Sequence, residues 1–320
     1  MAMASPPSRL SRWKRVKSAW PWLVGAAILI AVLTRVPFAA FRDAMGKGPH
    51  LRMIGVEVMI TLAVLCTDSC STWIGLIAVK MRRPLRRVMS VRGATYLLFL
   101  INYALGQGGF GYFLHKTGET PARATGATLF LIGTNFATLL LLTTAGVVAA
   151  GGVNPSLEHV LLGGCAAFVA YLIVIAIAPR VIDRGIFAPL FDAGLRGHAL
   201  AILGRLPHVS VVIMGNWIAM RAWGFELPLG DALLYLPAVA IATVLPISPG
   251  GLGTTQAAIV YFFASAAPGA TADAREAYLL AFGVVHFVYG MLASLAIGIV
   301  CLPIVKRAGV LPPTEEAEPA

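Results

Sequence analysis

No Asp, Glu, Lys or Arg occurs from Ala124 to Ala149, from Val160 to Pro179, or from Ala277 to Pro303. Each run is about the length that carries one helix across the ~30 Å hydrocarbon core of a bilayer. Only 12% of the 320 residues are charged, about half of what soluble domains carry. The pattern therefore predicts an all-α polytopic membrane protein. We place about six full spans, at 20–40, 54–79, 124–149, 157–179, 207–223 and 277–303. Two further apolar stretches, 93–114 and 232–266, are interrupted by glycines.

The ends and the cysteines add little. Residues 1–19 are basic and read as a cytoplasmic N-terminus ahead of a first span, because no A-x-A site closes a short apolar core. Residues 20–305 form a single transmembrane domain, and 306–320 form a short cytoplasmic tail. Cys66, Cys70, Cys165 and Cys301 lie in apolar runs without metal-ligand spacing and are expected to be packing residues. The net charge of +11 reflects membrane orientation rather than nucleic-acid binding, since basic residues concentrate in cytoplasmic loops.

Those basic residues set the topology. Arg9, Arg12, Lys14, Arg15 and Lys17 precede the first span, the segment 80–92 holds Lys80, Arg82, Arg83, Arg86, Arg87 and Arg92, and 180–206 holds Arg180, Arg184, Arg196 and Arg205. "GGVNPSLEH" and "GFELPLGD" contain no Lys or Arg. The first three segments are therefore assigned to the inside, and 150–158 and 224–231 to the outside. Two apolar stretches lie between 80–92 and 150–158, yet the chain must change sides. One of them must enter and leave on the same face, and 93–114, with "NYALGQGGFGYF", is the candidate. The same parity applies to 232–266, which must start and finish outside. Two oppositely oriented, glycine-broken re-entrant hairpins result. "GQGGFGYF" at 106–113 and "SPGGLGTT" at 248–255 occupy matching places in halves of about 54–149 and 207–303. This is an inverted repeat, an arrangement that places substrate at the midplane between broken helices.

In "LPISPGGLGTTQAAIVYFF", Pro246 and Pro249 end the incoming half-helix, and Gly250, Gly251 and Gly253 permit tight backbone turns. Thr254, Thr255 and Gln256 then open the outgoing half-helix, whose free N–H groups and positive dipole end favour an anion such as phosphate. This stretch resembles the signature of the flippase-like transmembrane region of lysylphosphatidylglycerol synthases and their stand-alone relatives. "YALGQGGFGYFLHKTG" is similar to that family's earlier element, and the likeness spans roughly residues 20–305. The resemblance implies an integral membrane protein linked to lipid translocation. Family members often carry a glutamate after each glycine turn, whereas Tyr112 and Gln256 stand here. The missing carboxylates fit an anionic headgroup better than a cationic one.

Asp68, in "LCTDSCST", is an intramembrane carboxylate. It is either a functional group or a hydrogen-bond hub with Thr67, Ser69 and neighbouring helices. Asn102, Asn135, Asn216 and His286 read as polar contacts between helices, and Glu57 and Arg221 either as a pair or as ordinary interfacial charges near the outer face. The expected substrate-binding residues are Gly108, Gly109, Gly111, Ser248, Gly250, Gly251, Gly253, Thr254, Thr255, Gln256 and Asp68. The expected function is translocation of a lipid or lipid-linked intermediate across the inner membrane, with a phospholipid or such an intermediate as partner. A membrane-embedded lipid-modifying transferase and a scaffold of a lipid or surface-polymer biosynthetic complex are the alternatives. No catalytic constellation is recognisable, so no enzyme, cofactor or metal is expected. A homo-oligomer is left open.

Overall fold

The computed structural model describes residues 30, 37–101, 103–152, 155–177, 185–244 and 253–307. Ten helices and no strands are found among the described residues. In chain order they are α1 (Phe38–Lys47), α2 (His50–Ala78), α3 (Leu85–Phe99), α4 (Tyr103–Lys116), α5 (Pro121–Ala149), α6 (Pro155–Ile177), α7 (Ala188–Trp223), α8 (Leu229–Val244), α9 (Thr254–Phe263) and α10 (Ala272–Arg307). Five of them, α2, α5, α6, α7 and α10, are long and apolar enough to cross a bilayer. Together they make this a multi-pass helical membrane protein. The expected span at 20–40 lies almost wholly outside the described residues; its last residues open α1.

Local chemistry sets several boundaries. Thr120 caps α5 by accepting the N–H of Arg123 at 3.3 Å, with Pro121 at the first helical position. Pro49 and Pro84 immediately precede α2 and α3. The segment 180–206, expected as a cytoplasmic loop, is corrected: residues 188–206 belong to α7, and 178–184 lie outside the described residues. Of the basic residues that suggested a loop, Arg180 and Arg184 lie outside the described residues, and Arg196 and Arg205 sit on this helix, which Gly194 bends with φ 55° and ψ −172° and which continues through Pro207. The expected span at 207–223 is only its second part.

The first glycine-rich stretch is also corrected. Gly106, Gly108, Gly109 and Gly111 are all inside α4, and the chain turns earlier, after Phe99. These glycines mostly serve contact. A Cβ on Gly106 would lie 2.4 Å from the Phe99 ring, and one on Gly109 would lie 2.4 Å from Leu98 Cδ1. The α3–α4 pair can therefore close tightly on its neighbour. At its far end, Arg83 Nη2 donates to Glu119 Oε1 at 3.0 Å and to Thr117 O at 3.2 Å. The segment thus leaves close to where it began.

Helices α8 and α9 form a second short antiparallel pair. Tyr235 stacks on Phe262 at 5.1 Å, and Thr243 Oγ1 meets Thr255 Oγ1 at 3.0 Å. The residues joining them, including Pro246, Pro249, Ser248, Gly250 and Gly251, lie outside the described residues.

Two apolar clusters close the bundle. One gathers Met53, Trp223, Phe225, Phe263 and Phe282 near the start of α2. The other gathers Leu76, Val79, Phe110, Phe113 and Phe130 near its end. The part of α2 between them carries Glu57 and Asp68, and there the packing opens into a cavity.

Candidate functional site

Helix α2 presents Glu57, Thr61, Val64 and Asp68 on one face, a helical spacing. They line a cavity of about 430 Å³, whose walls also come from α3, α4, α5, α7, α8, α9 and α10. Both short helix pairs reach it: Phe99, Tyr103 and Gln107 from one, Thr243, Thr255 and Gln256 from the other.

Asp68 is the hub of the polar wall. Its Oδ2 accepts from Arg92 Nε at 2.6 Å, and its Oδ1 accepts from Arg205 Nη1 at 2.7 Å. His208 Nε2 stands 4.0 Å from Oδ1. Arg92 Nη1 donates to Gln107 Oε1 at 3.3 Å, and Gln107 Nε2 donates to Tyr103 Oη at 2.9 Å. The Arg92 guanidinium lies 5.4 Å from the centroids of both Phe99 and Phe110, within cation–π reach. Asp68, Arg92 and Arg205 are each 5% exposed or less, so three full charges share one desolvated place. Two are positive and one is negative. Removing an ion from water costs several kcal/mol, and the excess cation has no counter-charge within this cluster. Tyr96 also lines the cavity, and its buried hydroxyl has no hydrogen-bond partner among the described residues.

Of the residues expected to bind substrate, Asp68, Thr255 and Gln256 meet at this cavity. Gly108 and Gly111 line a separate groove of about 420 Å³ between α4 and α5, which shares only Gln107 with the first. Gly109 faces α3 instead, and neither it nor Thr254 lines either cavity. Ser248, Gly250 and Gly251 lie outside the described residues. Gly253 has φ 83° and is the N-cap of α9; its N–H donates to Gln256 Oε1 at 2.6 Å. Gln256 therefore satisfies part of the very helix end that was expected to hold an anion, and its Nε2 reaches Gly283 O at 3.4 Å.

Other contacts differ from expectation. Asp68 bonds neighbouring helices, as a hub would, but not the Thr67 or Ser69 hydroxyls, which donate to carbonyls of Ala63 and Leu65 on their own helix. Glu57 does not pair with Arg221. It is buried and hydrogen-bonded to His286 Nδ1 of α10, whereas Arg221 is exposed. His286 is thus a contact between helices as expected. Asn216 instead donates to Val212 O within α7, Asn135 lines the cavity, and Asn102 lies outside the described residues. Cys66 and Cys70 are exposed on the bundle's outer surface rather than packed.

Sequence reasoning missed Arg92 and Arg205. Both were counted as loop charges, although each immediately precedes an apolar stretch. The available signal was Asp68 itself, because a buried carboxylate demands a cation. No protein-family model matches the chain, and no curated protein matches it.

Proposed function

We propose that this chain translocates a membrane lipid or lipid-linked intermediate whose anionic headgroup binds in the central cavity. One observation carries the reading: two buried guanidiniums share a single carboxylate beside a cavity roomy enough for a headgroup. A phosphate supplies the missing negative charge and acceptor oxygens matched to guanidinium donors. The Tyr96 hydroxyl offers a further donor. The two short helix pairs are re-entrant hairpins of an inverted repeat, one opening to the cytoplasm and one to the outside. This is supported by the ends that Arg83 and Glu119 tie together, and by the way both pairs reach one cavity. Such a site lies at the point where alternating access needs it. The lipid resemblance of "LPISPGGLGTTQAAIVYFF" points the same way.

The test uses purified protein in proteoliposomes that contain headgroup-labelled phosphatidylglycerol, with a neutral glycolipid of matched tails alongside. The expected result is protein-dependent movement of the phospholipid between leaflets and little of the glycolipid. Equal rates for both would discard the anionic site. A chemically altered lipid in the product analysis would indicate a transferase instead.

A further inference from the structure

The cavity holds a second buried acid that the headgroup site does not use. Glu57 is 2% exposed and lies eleven residues before Asp68 on α2, about 16 Å away along the axis at ~1.5 Å per residue. Its Oε1 is hydrogen-bonded to His286 Nδ1. The imidazole stacks on Phe282 with centroids 5.4 Å apart and planes 9° apart, which fixes the edge it presents. His286 Nε2 has no hydrogen-bond partner among the described residues, and both members of the pair line the cavity. A buried carboxylate and imidazole facing a largely apolar cavity with a charged wall, within a membrane protein, form the usual chemistry of proton carriage.

The charges give the pair a specific task. The other titratable or charged groups facing the cavity are Asp68 from α2, Arg92 and Tyr96 from α3, Tyr103 from α4, and Arg205 and His208 from α7; α5, α8 and α9 contribute none among the described residues. Nearby but outside the lining, His50 Nδ1 and Tyr289 Oη bond each other at 2.9 Å. With both cavity histidines neutral, the cavity as a whole carries no net charge: Glu57 offsets, from about 16 Å away, the cation that Asp68 leaves unpaired in its own cluster. A proton from water that forms an N–H bond at His286 Nε2 makes the imidazolium and leaves the cavity one charge positive. A monoanionic headgroup then restores neutrality. Release breaks the same N–H bond, and no bond of the lipid changes.

We propose that Glu57 and His286 form a proton site that couples lipid movement to a proton gradient, one proton accompanying each monoanionic headgroup. This rests on the headgroup reading above. Proton and headgroup strengthen each other's binding, as linkage requires.

Binding of short-chain phosphatidylglycerol to the detergent-solubilised full chain tests it, with proton uptake followed by an indicator dye in weak buffer. The wild type should take up about one proton per lipid, and its affinity should fall by up to about tenfold per pH unit above the pair's titration. Glu57→Gln removes the negative charge permanently. It should therefore bind at about pH 8 as tightly as the wild type does at about pH 6, without proton uptake. In proteoliposomes its transport should ignore an imposed pH gradient. Wild-type binding with equal affinity at both pH values and no proton uptake overturns the proton site and leaves the headgroup reading intact. Loss of the pH dependence in His208→Gln but not in Glu57→Gln also overturns it, by placing the proton beside Asp68. No lipid binding at any pH removes both readings. The proton-uptake measurement on the wild type decides the matter even if a variant fails to fold.

Discussion

At the scale of single residues, the polar wall is governed by an imbalance. Asp68 neutralises only one of its two arginines, so the three substitutions of this cluster should not be equivalent. Asp68→Asn leaves two buried guanidiniums facing each other and should lower stability by about 3–5 kcal/mol, the usual cost of breaking a buried pair. Arg205→Gln leaves the Asp68–Arg92 pair electrically balanced and should cost clearly less. Yet Arg205→Gln should weaken anionic-lipid binding more than tenfold, because it removes the excess charge. Thermal unfolding in detergent and lipid titration separate the two effects; equal destabilisation by both variants would deny the imbalance. The sequence announced Asp68 and hid its partners. A charge deep in an apolar run is conspicuous, whereas Arg92 and Arg205 border basic segments, where the positive-inside rule explains a cation without any partner. Glu57 and His286 were each visible, but their pairing joins α2 to α10 across more than two hundred residues of chain. No spacing rule reaches that far.

At the scale of elements, five of the expected apolar spans were legible because length and missing charge suffice to find them. The breaks were not. Glycine permits a turn and equally permits close helix packing, and composition does not distinguish the two uses. Gly106 and Gly109 pack α4 against α3, while the chain turns at Leu100 and Ile101, where no glycine stands. The distinction can be tested within one helix. On α5, a Cβ at Gly126 would come 2.0 Å from the backbone oxygen of Ile186, but one at Gly133 would meet nothing within 4 Å. Gly126→Ala should cost several kcal/mol, since backbone must move, in the manner of overpacked cores. Gly133→Ala should be neutral or stabilising by up to about 1 kcal/mol, from helix propensity alone. Thermal unfolding of the two variants in one detergent measures the contrast. Similar losses in both would mean that α5 does not approach the segment before α7 as closely as described.

At the scale of the whole molecule, the two short helix pairs approach one cavity while their outer ends lie near opposite ends of α2. Lys80, just after α2, bonds Asp192 at 3.0 Å, and Asp192 in turn bonds Arg123 at 2.8 Å. Arg123 and Arg83 share Glu119, so this polar collar surrounds the outer ends of α3 and α4. At the other end of α2, His50 packs against Trp223, and Tyr278 Oη donates to Trp223 O, just ahead of α8. On the proposed topology, a bilayer around the bundle has one pair entering from each side, with the collar in the cytoplasm as the charge asymmetry of the chain suggests. Single cysteines in a cysteine-free background check this directly. Arg86 and Lys116 are exposed near the two ends of the first pair, and Glu226 and Ala270 near those of the second. In sealed right-side-out vesicles, an impermeant maleimide should label Glu226→Cys and Ala270→Cys. It should reach Arg86→Cys and Lys116→Cys only after the membrane is opened. Labelling of Arg86→Cys and Lys116→Cys from different sides would make α3–α4 a true crossing. All four reacting from one side would abolish the opposed orientation, and with it the reason for expecting a cavity that each side of the membrane can reach in turn.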